Sequence, residues 1–572
     1  MKGYEFIAKL WKEYGTSHVF LQDVMFMESL RDFVDDGGQA ILAHSEFAAG
    51  YMADGYARVT NKPGICCCQS IGSANLASSV QDAWLACSPV LTFTGRQTIG
   101  NLYRNAYQEG DHRPFFDGLT KFNATVESAS QLPLLMRQSY REATSGKPRP
   151  THLDIFGFCG QECEEDEVGN VEIIANKKYA QYPAVRPAAE EADIALALEA
   201  IDKAKKPLIL AGRGALVSKA HKELMDFAVR NDIPVATTLD GKTLMVEGSD
   251  MWAGVIGNYG MHGTNVAAQA CDLFIVIGSQ TSNQTTLGQT TPPATVKTIQ
   301  IDIDPTEIGR NYPNCIPLCG DAKTVLAQLA AGVSARKRPE WRAEVAAYVA
   351  KTVEQHEHLW NNSGLGTANG DPITAGYLVK QVSDALPDDG ILVSDTGFSA
   401  IWTGNLTRLK PSQFYTRAAG TLGWSFPASI GVKAAVGNRP VINYTGDGGM
   451  FYFSNEIETA VRYNIPVVSV VNNNYCLSSN IPWMQEVFHD EPRNVGRNSF
   501  VASNSFAEIA KNFGAYGVRV ENPKDVRGAI EDALASGRPA VVEVVTNGRV
   551  TPPCPRTDDL SDIKDLIAYV SK

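Results

Sequence analysis

The strongest chemical signal is a strand-like run that ends in glycines around one acid. Val441-Ile442-Asn443-Tyr444 leads into Gly446-Asp447-Gly448-Gly449, and Asn474, the last of three consecutive asparagines, follows Asp447 by 27 positions. A carboxylate, an amide oxygen and a nearby backbone carbonyl are hard ligands suited to Mg²⁺, while glycine-rich backbone lets N–H groups approach a diphosphate. Gly-Asp-Gly alone is ordinary turn chemistry; its interval to the asparagine run makes it specific. A second cluster is His44-Ser45-Glu46-Phe47-Ala48-Ala49-Gly50, continuing through Ala53-Asp54-Gly55-Tyr56-Ala57-Arg58. Glu46 opens a predicted helix, a position that the helix dipole alone would favour for a carboxylate. In Tyr107-Gln108-Glu109 the neutral Gln108 amide could donate to a developing alkoxide without adding a titrating group, or could be a plain surface residue.

These residues need rigid carriers, and the chain supplies alternating helical and strand patterns. Helix Tyr4–Tyr14, a strand ending at Phe20, strand Ala40–Ala43, helix Glu46–Arg58, strand Ile65–Cys68, helix Ala74–Ala86 and strand Val90–Thr94 form a first block. A weakly periodic stretch, Gln161–Ala188, reads as a linker. The second block has helices Ile194–Lys203 and Ala220–Arg230 with strands Pro207–Leu210, Pro234–Thr237, Leu273–Ile277 and Val296–Ile301. After another weak region, His356–Asp371, come strands Ile391–Ser394, Val441–Tyr444, Pro466–Val471 and Ala540–Val544, with helices Asn455–Arg462, Phe506–Phe513 and Pro523–Ala535. We expect three doubly wound parallel-sheet α/β domains, over residues 1–186, 187–352 and 353–572.

The net charge of -12 gives no footprint for nucleic acid or an anionic membrane, so a small-molecule partner is expected. Without a basic, then apolar, leader or a membrane-spanning run, the expected location is the cytoplasm. Eleven cysteines lack zinc-knuckle spacing, and Cys66-Cys67-Cys68 lie in an apolar run, so buried reduced thiols are expected.

Together the two clusters closely resemble the motifs of thiamine diphosphate enzymes of the acetolactate synthase, pyruvate oxidase and benzaldehyde lyase type, and the resemblance runs through the whole chain. It implies that the three domains are pyrimidine-binding, central Rossmann-like and diphosphate-binding. By the same match Asp447, Asn474 and the Cys476 carbonyl hold Mg²⁺, with Gly446, Gly448, Gly449 and Leu477 around the cofactor. Glu46 becomes the acid that exchanges a proton with the aminopyrimidine ring at N1′, a role for which burial would raise its pKa. In Ala419-Gly420-Thr421-Leu422-Gly423-Trp424, Leu422 takes the place of the apolar prop beneath the two rings and the Gly420 carbonyl accepts from the amino group. Asp395-Thr396-Gly397-Phe398-Ser399 resembles the other diphosphate loop, and Asn75 also falls among cofactor contacts. The family places the outer domains of different subunits around one cofactor, which implies a homodimer or homotetramer.

Gln108 matches the carboligase Phe-Gln-Glu element as a catalytic amide, and His112 follows as a single histidine rather than the adjacent pair of pyruvate decarboxylases. Asn480 stands where those decarboxylases carry a glutamate, which disfavours simple aldehyde release, because an amide has no acid proton to give. Trp483 falls where acetohydroxyacid synthases place a pocket tryptophan, and Gln22, Asp23, Phe26 and Ser73 replace the family's barer turns as candidate substrate contacts. Gly260-Met261-His262-Gly263-Thr264 fits those synthases too. Ser279-Gln280-Thr281-Ser282-Asn283-Gln284, however, replaces their arginine-rich segment for a second oxoacid carboxylate and flavin. FAD or ADP in the central domain and a pyruvate acceptor are both disfavoured on that ground. The expected activity is carboligation or lysis beside a carbonyl. Its rivals are 2-hydroxyacyl-CoA lyase or oxalyl-CoA decarboxylase, a diketone hydrolase, and a non-catalytic cofactor-binding paralogue.

Overall fold

The computed structural model describes residues 1–360, 373–481, 487, 499–500, 504–548 and 550–553. Strands such as Gly64–Cys68, Pro207–Ala211 and Leu273–Ile277 are buried at every residue. Such runs need cover on both faces, which is the demand that parallel sheets with helical crossovers meet. Three six-stranded sheets result, and all their strand pairings are parallel.

The first sheet holds β1 (His18–Gln22), β2 (Gln39–Leu42), β3 (Gly64–Cys68), β4 (Val90–Arg96), β5 (Phe122–Val126) and β6 (Thr151–Phe156), in the order β2-β1-β3-β4-β6-β5. The second holds β7 (Pro207–Ala211), β8 (Val235–Thr237), β9 (Trp252–Val255), β10 (Leu273–Ile277), β11 (Lys297–Asp302) and β12 (Cys315–Cys319), in the order β12-β11-β10-β7-β8-β9. That order reverses between β7 and β10, the Rossmann-type switch point where ligands gather. The third holds β13 (Ile391–Ser394), β14 (Phe414–Arg417), β15 (Val441–Gly446), β16 (Val468–Asn473), β17 (Tyr516–Val520) and β18 (Ala540–Val545), in the order β14-β13-β15-β16-β18-β17. Its connectivity is that of the first sheet.

The outer sheets meet through helix Glu46–Thr60, which follows β2, and helix Ser425–Val436, which follows β14. Their approach is reciprocal. A Cβ on Gly55 would overlap the Ala428 carbonyl, and a Cβ on Gly431 would overlap the Met52 carbonyl. One continuous core therefore carries Tyr51, Met52, Trp424 and Phe426 from both helices.

The Gln161–Ala188 stretch has only a short helix, Gln161–Glu165, and one turn, Lys177–Ala180, but it is docked: Tyr182 is buried and donates to the Ala57 carbonyl. Helix Pro339–Trp360 runs through the start of the expected weak region His356–Asp371, whose residues 361–371 lie outside the described residues. Its buried stripe, Trp341, Val345, Val349, Thr352, His356 and Trp360, is one residue wide and includes polar Thr352 and His356, which hides the helix from a search for broad apolar periodicity. Among the described residues no helix is long and apolar enough to cross a membrane.

Candidate active site

At the C-terminal ends of β13 and β15 the third sheet passes through Gly397 and Gly446 directly into helices. Asp447 starts helix Asp447–Phe453 directly after β15; its carboxylate accepts from the Gly448 N–H at 2.8 Å and the Cys476 N–H at 3.1 Å. Asn474 Oδ1 accepts from the same Cys476 N–H at 3.2 Å, while its Nδ2 donates to Ser478 Oγ at 3.1 Å and so fixes the amide orientation. Two hard oxygens thus converge beside Cys476. Burial pushes the Asp447 carboxyl up to about 7, against the pull of the surrounding N–H groups, and a bound cation would relieve that penalty.

Three glycines around this point, Gly397, Gly420 and Gly446, leave room for a ligand. A Cβ on Gly420 would meet nothing within 4 Å, one on Gly446 only Ser399 Oγ at 3.9 Å, and one on Gly397 only Ser479, at 3.8 Å and beyond. Gly397 also has φ +62, so the turn from β13 into helix Phe398–Leu406 needs its conformational freedom. Phe398 and Ser399 are nearly buried at the start of that helix; Leu477 packs over Gly448, and Asn480 is half-buried in the turn Ser478–Asn480. Trp483 lies outside the described residues.

Asp395, which the sequence places at the head of the other diphosphate loop without a role of its own, ties these strand ends together. Fully buried, it accepts from Thr396 N at 2.7 Å, Gly423 N at 3.1 Å, Ser425 Oγ at 2.9 Å and Thr445 Oγ1 at 3.1 Å, linking the ends of β13 and β15 to the turn before helix Ser425–Val436. Gly449 has no room for a Cβ, which would lie 2.8 Å from Asp395 Oδ2. The signal available was an acid directly after a short, fully buried strand.

The first sheet's strand ends present side chains instead. Ser45 caps helix Glu46–Thr60 by accepting from Ala48 N at 3.2 Å, and Glu46 is its first residue. Asn75 Nδ2 donates to Glu46 Oε2 at 3.2 Å, and Gly72 lies so close that a Cβ there would overlap the Glu46 carboxylate. Within one chain Glu46 is half-buried, so the full enclosure that its expected role requires is not supplied by its own domain. Gln69 Nε2 donates to Asp23 at 2.8 Å, and Ser70 Oγ donates to the Gln108 carbonyl at 2.6 Å. His112 backs this arrangement, with Nε2 3.3 Å from Ser70 Oγ and Nδ1 2.9 Å from Asp154 Oδ1. Asp23 and Gln108 both adopt left-handed φ, +61 and +57, strained for side-chain-bearing residues, and Gln108 Oε1 is buried without a partner.

Glu46, Asn75, Asp23, Gln108 and His112 are therefore brought to one end of one sheet, with Gln22 half-buried at the end of β1 and Ser73 buried beneath Gly72. Phe26 is different. It is fully buried, with its ring 6.0 Å from Trp11 and 5.8 Å from Phe93, so it belongs to the core and offers no face to a substrate. The reason is its position: φ +56 just before helix Met27–Asp35 folds the ring inward and leaves Met27 outside.

A cavity of about 300 Å³ lies at the switch point of the central sheet, reached by the ends of β7, β10 and β11 and by Cys87 and Lys147 of the first unit. Gln280 and Gln284 border this cavity; Gln280 Nε2 donates to Cys87 Sγ at 3.1 Å. Arg213 also lines it, with Nε and Nη2 buried and unpaired, so a guanidinium stands beside the segment that lost its arginines.

Three family models match: the N-terminal TPP binding domain of thiamine pyrophosphate enzymes over residues 1–115, the central domain over 194–329 and the C-terminal TPP binding domain over 395–544. A protein named "Probable acetolactate synthase large subunit" from Methanococcus aeolicus is 30% identical over 514 residues, 88% of this chain and 85% of that protein. One of the same name from Methanocaldococcus jannaschii is 29% identical across 95% of this chain and 92% of its own length. The acetolactate synthase isozyme 2 large subunit of Escherichia coli is 27% identical across 95% of each chain. The chain belongs to the thiamine pyrophosphate-dependent enzyme family.

Proposed function

We propose that this enzyme is a carboligase or lyase of the acetolactate synthase type, making or breaking the C–C bond next to the carbonyl of a 2-oxoacid, a 2-hydroxyketone or a 1,2-diketone. The observation that carries it is the pairing of two strand-end clusters: converging Asp447 and Asn474 oxygens among open glycines, and Glu46 with Gln108 among polar side chains. When bound, thiamine diphosphate supplies a nucleophilic carbon, C2, and an electron sink for the carbon it attacks.

Asp447, Asn474 and the Cys476 carbonyl would hold Mg²⁺, and the backbone of Gly446 to Gly449 would approach the diphosphate, with Gly397, Phe398, Ser399 and Leu477 around it. Glu46 would hold a proton at ring N1′, the Gly420 carbonyl would accept from the amino group, and Leu422 would be the apolar prop beneath the two rings. Gln108 would donate to the substrate oxygen, within a pocket bordered by Gln22, Asp23, Ser73 and His112, with Asn75 among the cofactor contacts. Asn480 has no acid proton to deliver, which favours ligation or lysis over release of a simple aldehyde.

Because Glu46 and Asp447 would serve opposite ends of one cofactor, and the family places their two domains, with limits at 186/187 and 352/353, on different subunits, the active species would be a cytoplasmic homodimer or homotetramer. Each site would lie between two chains. The glutamine segment disfavours FAD or ADP in the central domain, but the unpaired Arg213 nitrogens in a cavity at a switch point, beside Asp240, Asp302 and Asp321, would keep a nucleotide open there.

The test is to incubate the purified holoenzyme with oxoacids, hydroxyketones, diketones and acyl-CoAs and identify products by mass spectrometry. Turnover of acyl-CoAs alone would move the enzyme to the CoA-lyase reading; bond cleavage with water as the only acceptor would make it a diketone hydrolase. No turnover at all would leave a non-catalytic paralogue. With one donor, and pyruvate competing against an aliphatic aldehyde as acceptor, the aldehyde should win by about 5- to 150-fold, or about 1–3 kcal/mol for a charge-assisted pair lost to neutral amides. Dominance of acetolactate would contradict the inference from Gln280 and Gln284 and point to Arg213 as the carboxylate partner.

A further inference from the structure

Asp82 is a charged residue placed where a core residue belongs. It lies in the last turn of helix Ser73–Leu85, fully buried, beside Ser79 and Ala83. Three consecutive N–H groups of the third domain point at its carboxylate: Ala419 N, Gly420 N and Thr421 N, each at 3.0 Å. Arg58 Nη2 donates to the same carboxylate at 2.9 Å, and its Nε donates to Asp54 at 2.9 Å. Arg58 also lies 4.2 Å over the Trp424 ring, while Trp424 Nε1 donates to Asp54 at 2.9 Å. One arginine thus offsets two buried acids, and the charge left over is met by backbone N–H groups, an arrangement that is costly to disturb in a low-dielectric interior.

The consequence follows from peptide planarity. The N–H of Thr421 and the C=O of Gly420 belong to one trans peptide and point in opposite directions. Holding that N–H on Asp82 therefore aims the Gly420 carbonyl away from the Asp82 carboxylate. We propose that Asp82 is a positioning residue of the cofactor site: from the first domain it sets the Gly420–Thr421 peptide, and with it the carbonyl that receives the cofactor's amino group. This rests on the functional reading above, and Asp82 itself touches neither cofactor nor substrate.

The test uses the full-length apo-protein carrying Asp82→Ala or, as a near-isosteric control for folding, Asp82→Asn. Calorimetry compares Mg²⁺ with thiamine diphosphate against Mg²⁺ with inorganic diphosphate, and hydrogen exchange is followed by mass spectrometry on peptides spanning residues 415–424. The expected result is faster exchange in that segment and about tenfold weaker binding of thiamine diphosphate, with diphosphate binding within about twofold of wild type. Asp82→Asn, which keeps an acceptor oxygen, should fall between. Unchanged exchange and affinity in a folded variant overturn the proposal, and so does equal loss of both ligands, which would make Asp82 a general structural residue. Failure of the wild-type protein to bind thiamine diphosphate would instead sink the functional reading, with exchange still reporting on the clamp.

Discussion

The first and third sheets share one connectivity and opposite surface chemistry. β2-β1-β3-β4-β6-β5 and β14-β13-β15-β16-β18-β17 are the same path through space, and their equivalent helices cross at Gly55 and Gly431. Yet the strand ends of the third present glycines and N–H groups, at Gly397, Gly420 and Gly446 to Gly449, whereas those of the first present Asp23, Glu46, Gln69 and Gln108. Bare backbone suits a diphosphate and metal; side chains suit proton transfer and substrate recognition. A single scaffold thus supplies either half of a site according to whether its strand-end loops carry side chains.

The largest effect expected from this division is at Asp447. Replacing it by alanine removes the one charged protein ligand of the proposed metal, so calorimetry should show Mg²⁺-dependent binding of thiamine diphosphate abolished; unchanged affinity would remove Asp447 from the site. A second experiment asks whether the halves come from different chains. Glu46→Gln and Asp447→Ala, each inactive, should recover about a quarter of wild-type activity when co-expressed, since half of randomly mixed dimers would hold one intact site. If every chain built its own site, nothing would be recovered. The smallest effect concerns the equivalence of the crossing helices: Gly55→Ala and Gly431→Ala should each destabilise the protein by about 1–3 kcal/mol in denaturant unfolding, because both add a methyl where a backbone carbonyl already lies. A large loss at one and none at the other would break the reciprocity.

Much of this was legible in the sequence, for reasons that differ by region. Strands Leu273–Ile277 and Ile391–Ser394 have the bounds read from their apolar runs, since central strands buried on both faces leave no ambiguity. β5 and β17 were not read, because as edge strands, with sequences FNATV and YGVRV, they are mostly half-buried and mixed in polarity. The glycine-rich loops were readable because backbone chemistry demands particular residue types. The roles of Asp82 and Asp395 were not, since an acid's use depends on which distant N–H groups the fold brings to it, and Ala419 to Thr421 lie more than 330 positions from Asp82. Phe26 shows the converse: its type suited a pocket, but local backbone turned it into the core.

The central claim is that Glu46, from the side-chain-bearing half, performs the proton exchange that activates a cofactor held by the backbone-bearing half. It is tested most directly by hydrogen–deuterium exchange at C2 of thiamine diphosphate bound to wild-type and Glu46→Gln proteins, read by proton NMR after acid quench, with binding measured in parallel. Because an amide has no exchangeable acid proton to offer at N1′, exchange should fall by about 10²- to 10⁴-fold while the cofactor stays bound. Exchange at the wild-type rate in the variant would contradict the account and take Glu46 out of the mechanism.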